Sequence, residues 1–128
     1  MAQAYRPANR TILCIDDDLS ILKYERALLE RYGYNVVTTS SAQQGLTMAM
    51  VLDQLDAIVL DYHMPEMSGH KVAATIKSCR PEIQIVMFSA SEIPQETLRL
   101  VDAIVLKTDA VGQLAPTVAQ LCKRVSPS

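Results

Sequence analysis

The sequence predicts an open α/β sheet: five parallel strands joined through five helices by right-handed crossovers. Two observations lead there. Five short apolar runs, rich in β-branched residues and lacking polar alternation, read as strands buried on both faces. Between them lie stretches of helical periodicity, the kind of connection that returns a chain parallel to itself. At 128 residues, 49% hydrophobic and 20% charged, the chain has the size and composition of one domain with its own core.

The elements follow in order. Residues 1–10 read as a flexible N-terminal segment, 11–125 as the folded domain and 126–128 as a loose C-terminus. TILCI (11–15) is the first strand, and a helix over 18–32 places Ile21, Leu22, Leu28, Leu29 and Tyr32 on one arc. Glu25 falls inside that apolar arc, which reads either as a register error or as a paired charge. Gly33 then closes the helix. YNVVTT (34–39) precedes a helix over 42–52, in which Met48 and Met50 read as core filling. DAIVL (56–60) leads to a helix over 69–79, and IQIVMF (83–88) to one over 95–101. DAIVL recurs at 102–106 before a last helix over 111–125. Asp18, Ser41 and Ser68 stand where N-caps belong.

Composition narrows the function. The net charge of −2 and the absence of any Lys/Arg run leave no footprint for direct nucleic-acid binding. No apolar stretch approaches the length of a membrane span, and the first residues show no signal-peptide pattern. Cys14, Cys79 and Cys122 are odd in number, far apart and outside any CxxC or Cys/His spacing. They read as reduced thiols of a cytoplasmic protein and not as metal ligands.

The segment ILCIDDDLS poses the functional question: Asp16, Asp17 and Asp18 follow one another at the end of the first strand. In open α/β sheets function gathers at the carboxyl ends of the strands. There the third strand ends in Asp61, the fourth in Ser89 and the fifth in Lys107. Taken singly, each reads as a strand-end cap or a solvated charge; it is their joint occurrence that demands a function. Two like charges ~4 Å apart repel by about 4 kcal/mol at an effective dielectric of 20, so a cation is expected among the carboxylates. Mg²⁺ takes one or two carboxylates and keeps sites for water and phosphate oxygens. A carboxylate can act as a nucleophile on phosphorus, and a lysine with a hydroxyl can share the charge of the phosphoryl oxygens.

These pieces (IDDD, LDYHMPEMSG, FSAS and VLK, in that order) resemble the receiver domain of two-component response regulators, over about Thr11 to Val125. The resemblance implies a flavodoxin-like strand order 2-1-3-4-5. It implies that Asp61 accepts a phosphoryl group from a histidine kinase or histidine phosphotransfer protein. It further implies Mg²⁺ ligated by Asp17, Asp61 and the backbone carbonyl of His63, with Asp16 acting through a metal-bound water. Lys107 and Ser89 would contact the phosphoryl group, Ser89 moving toward it on activation, while Asp18 caps the first helix. The protein would be no enzyme beyond its own phosphorylation and slow autodephosphorylation. It would act by docking a downstream protein, by phosphorelay or through a weak or phosphorylation-dependent dimer.

The sequence departs from the family pattern in three places. Thr108 stands where a proline usually follows the lysine, which leaves the isomer of the Lys107–Thr108 bond open. Ile104 stands where an aromatic switch residue is usual, and it is expected to stay packed beside the fourth helix. The segment from Ser89 to Lys107 is short, so that helix should be short or irregular. Two other readings stay open. A degenerate receiver would bind partners independently of phosphorylation. A phosphatase resembling the haloacid dehalogenase family would use Asp16, Asp18 and Ser20 as its start, although only Asp109 follows Lys107 and no cap fits in the chain.

Overall fold

The structure, a computed structural model, describes residues 10–125, so residues 1–9 and the expected loose C-terminus at 126–128 lie outside it. The elements run β1 (Thr11–Ile15), α1 (Leu19–Glu30), β2 (Asn35–Thr39), α2 (Ala42–Val51), β3 (Ala57–Asp61), α3 (Gly69–Cys79), β4 (Gln84–Ser89), α4 (Gln95–Leu98), β5 (Ala103–Leu106) and α5 (Ala110–Val125). A 3₁₀ turn over Lys107–Asp109 leads into α5. The strands form one sheet in the order β2-β1-β3-β4-β5, with every neighbouring pair parallel.

Strand alternation divides the core in two. Ile12, Cys14, Ala57, Val59, Val86 and Phe88 face α1 and α5. Leu13, Ile15, Ile58, Leu60, Ile85 and Met87 face the side of α2 and α3. This two-sided burial explains why the strands read as unbroken apolar runs. The repeated DAIVL has a second use: its aspartate bridges to the neighbouring strand. Asp56 Oδ2 accepts from Thr11 N–H at 2.9 Å, and Asp102 Oδ2 from Ile85 N–H at 2.8 Å.

The caps fall where the sequence puts them. Asp18 Oδ1 accepts from the N–H of Ser20 and Ile21, Ser41 Oγ from Gln44 N–H and Ser68 Oγ from Lys71 N–H. Gly33, with φ 92°, supplies the left-handed turn after α1. Three expectations are corrected. Tyr32 is 48% exposed, because α1 ends at Glu30 and the apolar arc ends with it. Met50 is exposed while Met48 is partly buried. The reason is that α2 faces the sheet with the small residues Ala42, Gly45 and Ala49, and Met50 lies off that line. The fourth helix is short, as expected, but ends at Leu98 and not at Val101, and Ile104 is exposed instead of packed beside it.

Candidate functional site

Register brings the strand-end residues together. Ile15 lies opposite Leu60, Asp61 opposite Phe88 and Ser89 opposite Leu106. The positions at or just past these pairs (Asp16, Asp61, Ser89 and Lys107) therefore share one edge. Asp16, Asp61 and Ser89 are buried there, and Asp17 is exposed beside them.

The Lys107 ammonium sits 2.9 Å from Asp16 Oδ2 and 3.2 Å from Asp61 Oδ1. Asp16 Oδ1 accepts from the N–H of Asp18 at 2.9 Å. Phe88 underlies the lysine, its ring centroid 5.7 Å from Nζ. Asp16, Asp17 and Asp61 each offer an oxygen to a common point, the three oxygens lying within 4.8 Å of one another. One ammonium facing three carboxylates leaves an excess of negative charge, and the all-oxygen donor set suits a hard divalent cation. Asp18, by contrast, is committed to the first turn of α1.

Burial raises the Asp61 carboxyl to about 6; the Asp16 charge adds to this, and Lys107 and the N–H of His63 partly offset it. For Lys107, burial disfavours the charge, but Asp16 and Asp61 outweigh it and hold the ammonium above its ordinary value. Ser89 Oγ is engaged in its own loop, donating to Ser91 O at 2.7 Å and accepting from Ser91 N–H at 3.2 Å. The His63 side chain is exposed at the rim, its ring edge-on to Tyr62. All described peptide bonds are trans, that between Lys107 and Thr108 included.

The structure adds three features that the sequence left unsettled. Glu25 is 1% exposed, and neither carboxyl oxygen has a hydrogen-bond partner among the described residues. It is thus neither a register error nor an ion pair. Burial, then the Asp16 charge, pushes its carboxyl well above the usual range, which favours the protonated form in the core. Glu66, in the loop after β3, reaches α2: Oε1 accepts from Ala42 N–H at 2.7 Å. His70 Nδ1 and Thr97 Oγ1 are joined by a 2.8 Å hydrogen bond. Glu25's place in an apolar arc was a visible signal; the other two contacts span 24 and 27 residues and carry none.

Comparison with known proteins agrees with this geometry. The family model for the response regulator receiver domain matches residues 12–113. The two-component response regulator ORR24 of rice (Oryza sativa subsp. indica) is 32% identical over 94 residues, 73% of this chain and 15% of the relative. The alkaline phosphatase synthesis transcriptional regulatory protein PhoP of Bacillus subtilis is 33% identical over 84 residues, 66% of this chain and 35% of PhoP. The chain thus spans 15% and 35% of the length of these two curated relatives. Among solved structures, the Thermotoga maritima response regulator TrrA, in complex with Mg²⁺–BeF, superposes with a TM-score of 0.82 at 24% identity. That match covers 88% of this chain and 98% of TrrA. A Francisella response regulator receiver domain gives 0.83 at 22% identity, covering 92% of this chain and all of the other. No helix among the described residues is long and apolar enough to cross a membrane. With the matched sequence, the strand order and the acidic edge in agreement, the chain belongs to the response regulator receiver domain family.

Proposed function

We propose that Asp61 accepts a phosphoryl group from the phosphohistidine of a histidine kinase or histidine phosphotransfer protein. The phosphorylated chain then signals by docking a partner or by passing the phosphoryl group on. The observation that carries this reading is the setting of Asp61: a buried strand-end carboxylate with an ammonium at 3.2 Å and two further carboxylates beside it.

Asp16 is held by the Asp18 N–H and by Lys107, and Asp61 by Lys107. In this reading, which follows the family resemblance, Asp17 and Asp61 with the His63 carbonyl would hold Mg²⁺ directly and Asp16 would act through water, in keeping with the cluster of the three carboxylates. When bound, the cation neutralises the carboxylates and draws charge from the phosphoryl oxygens. Asp61 supplies the nucleophile. Its oxygen forms the new O–P bond as the P–N bond to the donor imidazole breaks, and the bond pair leaves with the imidazole nitrogen, which takes up a proton. Lys107, already at Asp61 Oδ1, pairs with one phosphoryl oxygen. Ser89 donates to another once its hydroxyl lets go of Ser91 O.

Incubation with acetyl phosphate and Mg²⁺, followed by mass spectrometry of the adduct, tests this. One phosphoryl group on wild type, none on Asp61→Asn and full labelling of Asp18→Asn are expected. Full labelling of Asp61→Asn would sink the assignment, and an unreactive wild type would favour a phosphorylation-independent binding module.

A further inference from the structure

Helix α4 has four residues, too few to be stable by its own hydrogen bonds, and no side chain caps it. Its buried residue is Thr97, 0% exposed, whose hydroxyl meets His70 of α3 at 2.8 Å. On either side of it in the chain, Ile93, Leu100 and Val101 are partly buried against the core on the α2 and α3 side of the sheet. Within α4 itself, the buried polar contact is the hydrogen bond from Thr97 to α3.

Both ends of that bond lead back to the acidic edge. On the His70 side, Gly69 N–H donates to Tyr62 O at 2.7 Å. A Cβ at Gly69 would lie 2.6 Å from the Asp61 carbonyl oxygen, so the first turn of α3 backs directly onto the strand that carries Asp61. On the Thr97 side, Thr97 N–H donates to Pro94 O, and Pro94 closes a loop whose other end is Ser91. The backbone of Ser91 is held at both polar groups by the Ser89 hydroxyl. Ser89 is thus unable to donate to a phosphoryl group on Asp61 while it still donates to Ser91 O. The Ser89 hydroxyl is thus one of the groups that hold the loop leading to Thr97, whereas His70 follows Gly69, which is bonded to the loop after β3.

We infer that the His70–Thr97 hydrogen bond is a latch that holds α4 on α3 in the unphosphorylated protein and opens when Ser89 turns to the phosphoryl group. This rests on the reading of Asp61 as phosphoacceptor and adds the route by which the change leaves the site: the groove between α3 and α4. Ile104, exposed and aliphatic, offers β5 no comparable bond to break. Linkage adds a second consequence. A contact made in one state alone, when removed, favours the other state and any ligand that selects it.

Two variants test the latch. Thr97→Val keeps the buried volume and removes the hydroxyl. His70→Ala alters a half-buried site and keeps the test open should Thr97→Val lose its fold. Each is compared with wild type, with and without beryllofluoride and Mg²⁺, by amide exchange in NMR, while ¹⁹F signals report occupancy of Asp61. In wild type, beryllofluoride should speed exchange at Leu98, Arg99 and Leu100 by about tenfold or more. The variants should show that exchange beforehand and bind beryllofluoride about twofold to tenfold more tightly, the range one net hydrogen bond allows. Absence of a bound ¹⁹F signal in wild type overturns the Asp61 reading and the latch with it. Full occupancy with unchanged α4 exchange, or variants whose affinity is unchanged or weaker, overturns the latch alone.

Discussion

Glu25 shows how one side chain can oppose the element that carries it. The helix buries it because Leu22 and Leu29, three positions before and four after, need the same face. Its folded-state carboxyl holds a proton well above the ordinary value of 4.5, so the folded protein binds a proton that the unfolded chain releases. Stability therefore falls as pH rises from about 4.5 through the folded pKa. Glu25→Met removes both the unpaired acid and that pH slope. It should stabilise the protein by about 1–3 kcal/mol at pH 7, with the advantage shrinking toward pH 4. Urea unfolding at several pH values measures this, and a variant less stable than wild type at pH 8 would refute it. Cys14 shares the setting: burial and the nearby Glu25 push its thiol well above its ordinary value, so it is an inert core thiol.

At the scale of elements, what was legible in the sequence was local. The caps at Asp18, Ser41 and Ser68 act within three residues, and the strands declare themselves by runs of five or six. That five candidate side chains would share one edge was legible for a topological reason, since parallel strands carry their last residues there. Illegible were the places where a helix stops early and the contacts that span the chain. Tyr32 belongs to the first kind, and Glu66 on Ala42 and His70 on Thr97 to the second. So does the Ser89 hydroxyl, whose choice between its own loop and the acidic edge is a rotamer and leaves no trace in residue type. Asp102 shows how much a strand-start aspartate can hold: it accepts from Ile85 N–H and pairs with Lys77 at 2.7 Å, both partly buried. Asp102→Ala leaves that N–H and the lysine without their partner and should destabilise the fold by about 1–3 kcal/mol. Asp53→Ala, in the loop after α2, should change stability by less than about 0.5 kcal/mol. Equal midpoints for the two variants in chemical denaturation would show that the bridging role is misassigned.

For the whole molecule, the sheet gathers its charge conflict at a single edge, so occupancy of that edge should set global stability. Without a cation, Asp61 titrates near 6, above its ordinary 3.8. The sign is that of Glu25: the folded state holds the proton more tightly, and stability drains away as pH rises from about 4 through 6. A cation that binds the ionised carboxylates reverses this. It competes with the proton, and its apparent affinity falls up to tenfold for each pH unit below 6 while one proton must leave. Because it binds the folded state, it stabilises by about 2.7 kcal/mol at a hundred times its dissociation constant, a shift of several degrees in the unfolding midpoint. Melting curves with and without Mg²⁺ should show that shift at pH 7.5 and little of it at pH 5. Asp17→Asn and Asp61→Asn should lose most of it. Asp61→Asn should also melt higher than wild type in metal-free buffer at pH 7.5, because it relieves the charge conflict without a cation. Asp18→Asn should keep the full Mg²⁺ response, since that side chain belongs to the first turn of α1 and not to the acidic edge. A Mg²⁺ shift that survives Asp17→Asn and vanishes in Asp18→Asn would mean that the acidic run presents a different face to the cation.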